Sequence, residues 1–154
     1  GVETAWADVE TQYQRRANLI PNVIRTVKGY AKHEQETLAQ VIAARSKATQ
    51  SGASIEEYAA AQKQVTTALD RLIAIAENYP DLKANTNFLE LQAQLEGTEN
   101  RIAVARKKYN EIVKAYNTQT ATFPSKLIAN MFGFEKKAYF EAQAGAETAP
   151  KVEF

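Results

Sequence analysis

Two stretches of this 154-residue chain repeat their apolar side chains in alternating steps of three and four, without a slip. In one, Ile55, Tyr58, Gln62, Val65, Leu69, Leu72, Ala76 and Tyr79 keep the alternation. In the other, Phe88, Leu91, Leu95, Thr98, Ile102, Ala105, Tyr109, Ile112, Tyr116, Gln119 and Phe123 keep it. Gln62, Thr98 and Gln119 interrupt the seam in character but not in phase. A strand would alternate every second residue, and a helix on a broad core face drifts toward a period of about 3.6. A period of about 3.5 is the a/d seam of a left-handed bundle. The expectation is therefore an all-α fold, an elongated four-helix up-and-down bundle with long, coiled-coil-like antiparallel helices.

A third periodic segment leads these two. Trp6, Tyr13, Ile20 and Val27 are spaced by seven, with Val2, Val9, Val23, Ile24, Tyr30, Ala31, Leu38, Val41 and Ile42 around them. The phase is kept across Pro21. A proline inside a helix removes one backbone bond, here to the Ala17 carbonyl, and costs about 3 kcal/mol. The alternative is an N-cap at Asn18, with Pro21 in the first turn of a new helix. The unbroken phase favours one helix over residues 2–50, kinked near 21. Gly29 is a second weak point, at about 1 kcal/mol.

The boundaries have their own chemistry. Gly52 is available for a left-handed turn after the first helix. Ser54 with Glu57 makes a capping box that opens a helix over 54–79. Pro80 stops it, because the residue before a proline avoids the helical region. Thr86 or Asn87 can cap a third helix over 86–123, which Pro124 ends. Short helical segments are expected within 125–144. At about 1.5 Å per residue the three long helices measure near 70, 38 and 55 Å. One helical-bundle domain, 1–154, accounts for the whole length.

Composition narrows the chemistry. Nineteen basic against 18 acidic residues leave a formal charge of +1, so no long-range field draws in nucleic acid. There is no cysteine and one histidine, His33. Thiolate sites and two-histidine metal sites are excluded on that count. His33 reads as a solvated side chain on a charged face. Glu56 with Glu57, and Glu96 with Glu99, are pairs without the flanked cleft that two-carboxylate catalysis needs. The sequence thus predicts no catalytic residue, no cofactor and no metal. The longest charge-free run, 115–125, is too short and too polar to cross a bilayer, which takes about 20 apolar residues.

Four features invite other readings. Arg15, Arg16, Asn18, Pro21 and Asn22 form a possible interaction patch for a protein or lipid headgroup. The plainer reading is solvated arginines beside a kink whose freed carbonyl is bonded by an asparagine amide. Asn110 and Asn117, seven apart, read as buried residues that fix register. The tyrosines at 30, 58, 79, 109 and 116, with Phe88, read as core rather than as a ligand-stacking stripe. The basic runs 106–108 and 136–137 read as solvated faces.

Long blocks of this sequence resemble the LemA family of bacterial proteins. They run through Arg15-Arg16-Ala17-Asn18-Leu19-Ile20-Pro21-Asn22, Val27-Lys28-Gly29-Tyr30-Ala31-Lys32-His33-Glu34 and Ala43-Ala44-Arg45. They continue in Asn78-Tyr79-Pro80-Asp81-Leu82-Lys83-Ala84-Asn85 and Leu95-Glu96-Gly97-Thr98-Glu99-Asn100-Arg101-Ile102. Further matches are Tyr109-Asn110, Tyr116-Asn117, Phe123-Pro124, Phe132-Gly133-Phe134 and Tyr139-Phe140-Glu141-Ala142. Members more often carry Leu-Val-Glu-Thr where this chain has Val23-Ile24-Arg25-Thr26. The resemblance implies an elongated helical bundle on an amino-terminal membrane anchor, with no established molecular function and no catalytic or cofactor residues to carry over. The anchor would lie just before Gly1, where amphipathic sequence begins at once. Arg15 and Arg16 close to that anchor favour the cytoplasmic side. The expected role is a non-enzymatic scaffold or protein-interaction module. The alternative is a small-ligand or lipid-binding bundle, with an apolar slot near Pro21 or beneath 123–134.

Overall fold

The computed structural model describes residues 1–121, with side chains through Thr118. It is all-α. Its helices are α1 (Val2–Lys28), α2 (Gln35–Ala48), α3 (Ile55–Ala76), the single turn α4 (Pro80–Lys83) and α5 (Thr86–Ala121). No strand occurs among the described residues. The segments expected within 125–144 lie outside them.

The chain divides into two compact units, Thr11–Ile102 and the pairing of Gly1–Glu10 with the chain from Ala103 onward. In the first unit the core is built from Ile20, Val23 and Val27 of α1, Leu38 and Val41 of α2, Val65, Leu69 and Leu72 of α3, and Leu82. Phe88, Leu91 and Leu95 of α5 complete it, all buried. In the second, Ala5, Val9, Ala105, Tyr109 and Val113 are buried, and the Trp6 and Tyr109 rings meet at 5.4 Å in a tilted pair.

The helix expected over 2–50 is two helices. Pro21 sits inside α1, which continues about two turns beyond it. The break comes instead at 29–34. There Gly29, the poorest helix former apart from proline, follows Lys28. The chain then closes in turn bonds from the Tyr30 and Ala31 amides to the Val27 carbonyl, at 3.0 and 2.8 Å. Ala31 is fully buried at that turn.

Gly52 takes φ +83°, the left-handed turn between α2 and α3. The capping box is formed: the Glu57 amide donates to Ser54 Oγ at 3.1 Å and the Ser54 amide to Glu57 Oε1 at 2.9 Å. These bonds hold the Glu57 carboxyl below the usual carboxylate range, the Ser54 backbone bond contributing most. Pro80 opens α4 from its first turn. The cap of α5 is Asn85, not Thr86 or Asn87: its Oδ1 accepts from the Phe88 amide at 2.9 Å. Asn87 instead donates to Thr26 Oγ1 at 3.0 Å, and Asn85 Nδ2 to Tyr30 Oη at 2.9 Å.

The α3 seam is buried as its spacing predicts at Gln62, Val65, Leu69, Leu72 and Ala76. The α5 seam holds from Phe88 to Tyr109 and then steps aside. Past that point Val113 and Asn117 are buried, while Ile112 and Tyr116 are half-buried. Two consecutive steps of four, 109 to 113 to 117, mark the drift of a 3.6-residue helix past a 3.5-residue pattern. Of the aromatic set read as core, Tyr109 and Phe88 are buried. Tyr58, Tyr79 and Tyr116 are half-buried, and Tyr30 is exposed.

Candidate functional site

The five residues of the expected patch do not share one environment. Arg15, Asn18, Pro21 and Asn22 are exposed, and 15, 18 and 22 lie on one helical face. Asn18 accepts from Gln14 Nε2 at 2.9 Å. Arg16 points the other way, with no solvent exposure at all.

Arg16 occupies a seam position. Trp6, Val9, Tyr13, Arg16, Ile20, Val23 and Val27 step by three and four, so the guanidinium is carried inward between Tyr13 and Ile20. An unpaired charge there would be prohibitively costly. Its partners come from two other helices. Nη1 donates to Thr66 Oγ1 at 2.6 Å and to Glu99 Oε1 at 2.9 Å. Nη2 donates to the Gln62 carbonyl at 2.8 Å and to Gln62 Oε1 at 3.0 Å. The Tyr13 ring lies 5.0 Å from the guanidinium carbon, and Tyr58 packs edge-on against Tyr13 at 5.7 Å.

The network reaches a fourth helix. Gln62 Nε2 donates to the Ala48 carbonyl at 3.3 Å, one of the last-turn carbonyls of α2 that have no helical donor. Thr66 Oγ1 donates to the Gln62 carbonyl at 3.2 Å. One buried cation therefore ties α1 to α3 and α5 directly, and to α2 through Gln62. Glu99 keeps a water-facing edge, with 35 % of its side chain exposed, so the pair is buried at one end only. Asp70, one turn beyond Thr66 on α3, has its carboxyl raised. Partial loss of hydration is the main cause and the nearby Glu99 charge the second, while Arg16 pulls the other way.

Sequence reasoning missed this site. Its signal was present: Arg16 fills the gap in the first seam, and Gln62 and Thr98 are the polar members of the other two. A charged residue at a seam position reads as a surface residue until its partners are known. The freed carbonyl at Pro21 is likewise bonded, but by Arg45 Nε of α2 at 2.8 Å rather than by an asparagine.

Two other features bear on ligands. An open surface groove of about 500 Å³ lies between the end of α1 and the start of α2, lined by residues from Ile24 to Ile42 and not by Pro21. The second slot, beneath 123–134, lies outside the described residues. Among the described residues no cluster of three or more His, Cys, Asp or Glu could hold a metal, and His33 is exposed.

A model of the LemA family matches residues 5–154. The chain belongs to the LemA family. Protein LemA of Metamycoplasma hominis is 24% identical over 141 residues, which cover 92% of this chain and 64% of that one. Magnetosome proteins MamQ 1 and MamQ 2 of Paramagnetospirillum magneticum are each 31% identical over 81 residues, 53% of this chain and 30% of theirs. The matched part thus spans from under a third to under two thirds of these relatives. Of the four residues of the buried network, Arg16 and Glu99 lie in the long sequence blocks of this LemA-family chain and Gln62 and Thr66 do not.

Proposed function

We propose that this LemA-family chain is the helical part of a non-enzymatic, membrane-anchored protein that serves as a scaffold or protein-interaction module. The observation that carries the reading is the use of Arg16. This fully buried charged side chain of the first helix is committed to four internal acceptor atoms that join helices, which suits a stiff spacer. Arg15, Asn18 and Asn22 stay outside and are available to a partner. No described helix is long and apolar enough to cross a membrane.

The test is crosslinking and pulldown of the full-length protein from its native membrane. The reading expects a discrete protein partner whose recovery falls when Arg15 or Asn22 is reversed in character. Catalytic turnover by the purified protein, lost on substitution of a surface carboxylate, would overturn it.

A further inference from the structure

The groove between α1 and α2 has a composition of its own. Ile24, Leu38, Ala39 and Ile42 form its apolar surface, and Lys28 and Lys32 stand at its rim. Leu38 is the buried floor, while Ile42 is 52% exposed, high for an isoleucine. Neither lysine has a carboxylate within 4.0 Å among the described residues, although Glu34 and Glu36 are close in sequence. Elsewhere an exposed lysine does find such a partner, as Lys83 does in Glu77 at 2.6 Å. Apolar surface and two unpaired ammonium groups thus share one depression.

We infer that this groove is a docking site for an acidic amphipathic helix of a partner protein. The inference rests on the interaction-module reading and names its surface. Two features select that occupant. The groove is open along one side, so whatever lies in it keeps a face in water, as an amphipathic helix does. The free rim charge is positive, so the flanks of that helix are acidic. On α2, positions 35 to 42 offer two turns, about 10 Å of rise, which matches apolar anchors at i, i+3, i+4 and i+7.

The experiment uses a synthetic helix with leucines at those spacings and glutamates beside them, and its counterpart with lysines in place of the glutamates. Binding and NMR shift changes are measured on the whole chain. The glutamate peptide is expected to shift Ile24, Leu38 and Ile42 and to bind about ten-fold more tightly than the lysine peptide. Lys28→Glu with Lys32→Glu is expected to reverse that preference, and Ile42→Glu to abolish binding of the glutamate peptide with helix content unchanged. Absence of binding, shifts confined to other faces, or no preference between peptides would overturn the proposal. So would anionic vesicles that shift these residues where the peptide does not, which would make the groove a bilayer contact. A partner crosslinked through Arg15 and Asn22 with an inert groove would leave the interaction module standing and remove this site alone.

Discussion

Arg45 Nε donates to the Ala17 carbonyl at 2.8 Å, and Ala17 is the residue whose helical donor Pro21 lacks. A side chain from α2 thus replaces the bond that the proline deletes from α1. The two residues are coupled through an atom that belongs to neither. Arg45→Ala should cost about 1–3 kcal/mol, the penalty of a partly buried carbonyl left unpaired. In a Pro21→Ala background, where residue 21 regains its amide, the same change should cost at least about 1 kcal/mol less. Denaturant unfolding of the four proteins measures this; equal costs in both backgrounds would remove the coupling.

How much of this was legible depends on what each residue reports about itself. The α3 seam could be read from Gln62 to Ala76 because every member there is apolar or neutral, and the capping box marks the start of the helix, while Ile55, Tyr58 and Tyr79 at its ends are only half-buried. The α5 seam could be read as far as Tyr109. Extending a 3.5-residue pattern then named Ile112 and Tyr116, whereas a straight helix had drifted to Val113 and Asn117. Pro21 looked like the weak point of the first segment because its cost is local, while its compensation, Arg45, lies 24 residues on. At Gly29, whose local cost is lower, the helix ends and the chain turns on bonds to the Val27 carbonyl. Arg16 was hidden for the same reason: its sequence neighbours say surface, and only Gln62, Thr66 and Glu99 say core.

Valine occupies both sides of α5, which gives a matched comparison. Val113 has no exposed surface, and Val104 is 68% exposed. Val113→Thr keeps the shape and buries a hydroxyl, so it should cost about 1–3 kcal/mol. Val104→Thr should stay within about 0.5 kcal/mol of the parent. Thermal unfolding of the two variants checks the seam position directly; equal effects would restore the unshifted pattern.

Two glycines should respond with opposite sign. A Cβ at Gly97 meets nothing within 4 Å and the residue lies within α5, so Gly97→Ala should stabilise by about 0.5–1 kcal/mol. Gly52 at φ +83° has equal space but the wrong backbone, so Gly52→Ala should destabilise by about 1–2 kcal/mol. Chemical denaturation of both proteins distinguishes space from conformation; a loss at Gly97 would contradict the assignment.

Asp70 and Glu57 give opposite pH dependences. The Asp70 carboxyl is raised, so the folded state holds its proton more tightly than the unfolded chain does. Its stabilising contribution is complete below the ordinary aspartate range and is lost as pH rises through the raised value. Asp70→Asn should therefore be more stable than the parent at neutral pH, by under about 0.5 kcal/mol at so exposed a site, with the gap closing in acid. The Glu57 carboxyl is lowered, so its contribution is present above the ordinary glutamate range and lost as pH falls through the lowered value. Glu57→Gln should flatten that acid limb. Stability against pH for both variants decides the signs.

The central claim is that the buried Arg16 cation, held by Gln62, Thr66 and Glu99, fixes how α1, α3 and α5 meet. Urea unfolding of Arg16→Met tests it most directly, with Arg16→Met/Gln62→Leu alongside. A loss of about 1–3 kcal/mol is predicted for the single variant, because it leaves Gln62 Oε1 buried without a donor while Glu99 can still turn to water. Adding Gln62→Leu should return part of that loss, because it takes away that stranded acceptor. An Arg16→Met protein within about 1 kcal/mol of the parent, with the same unfolding slope, would contradict the account.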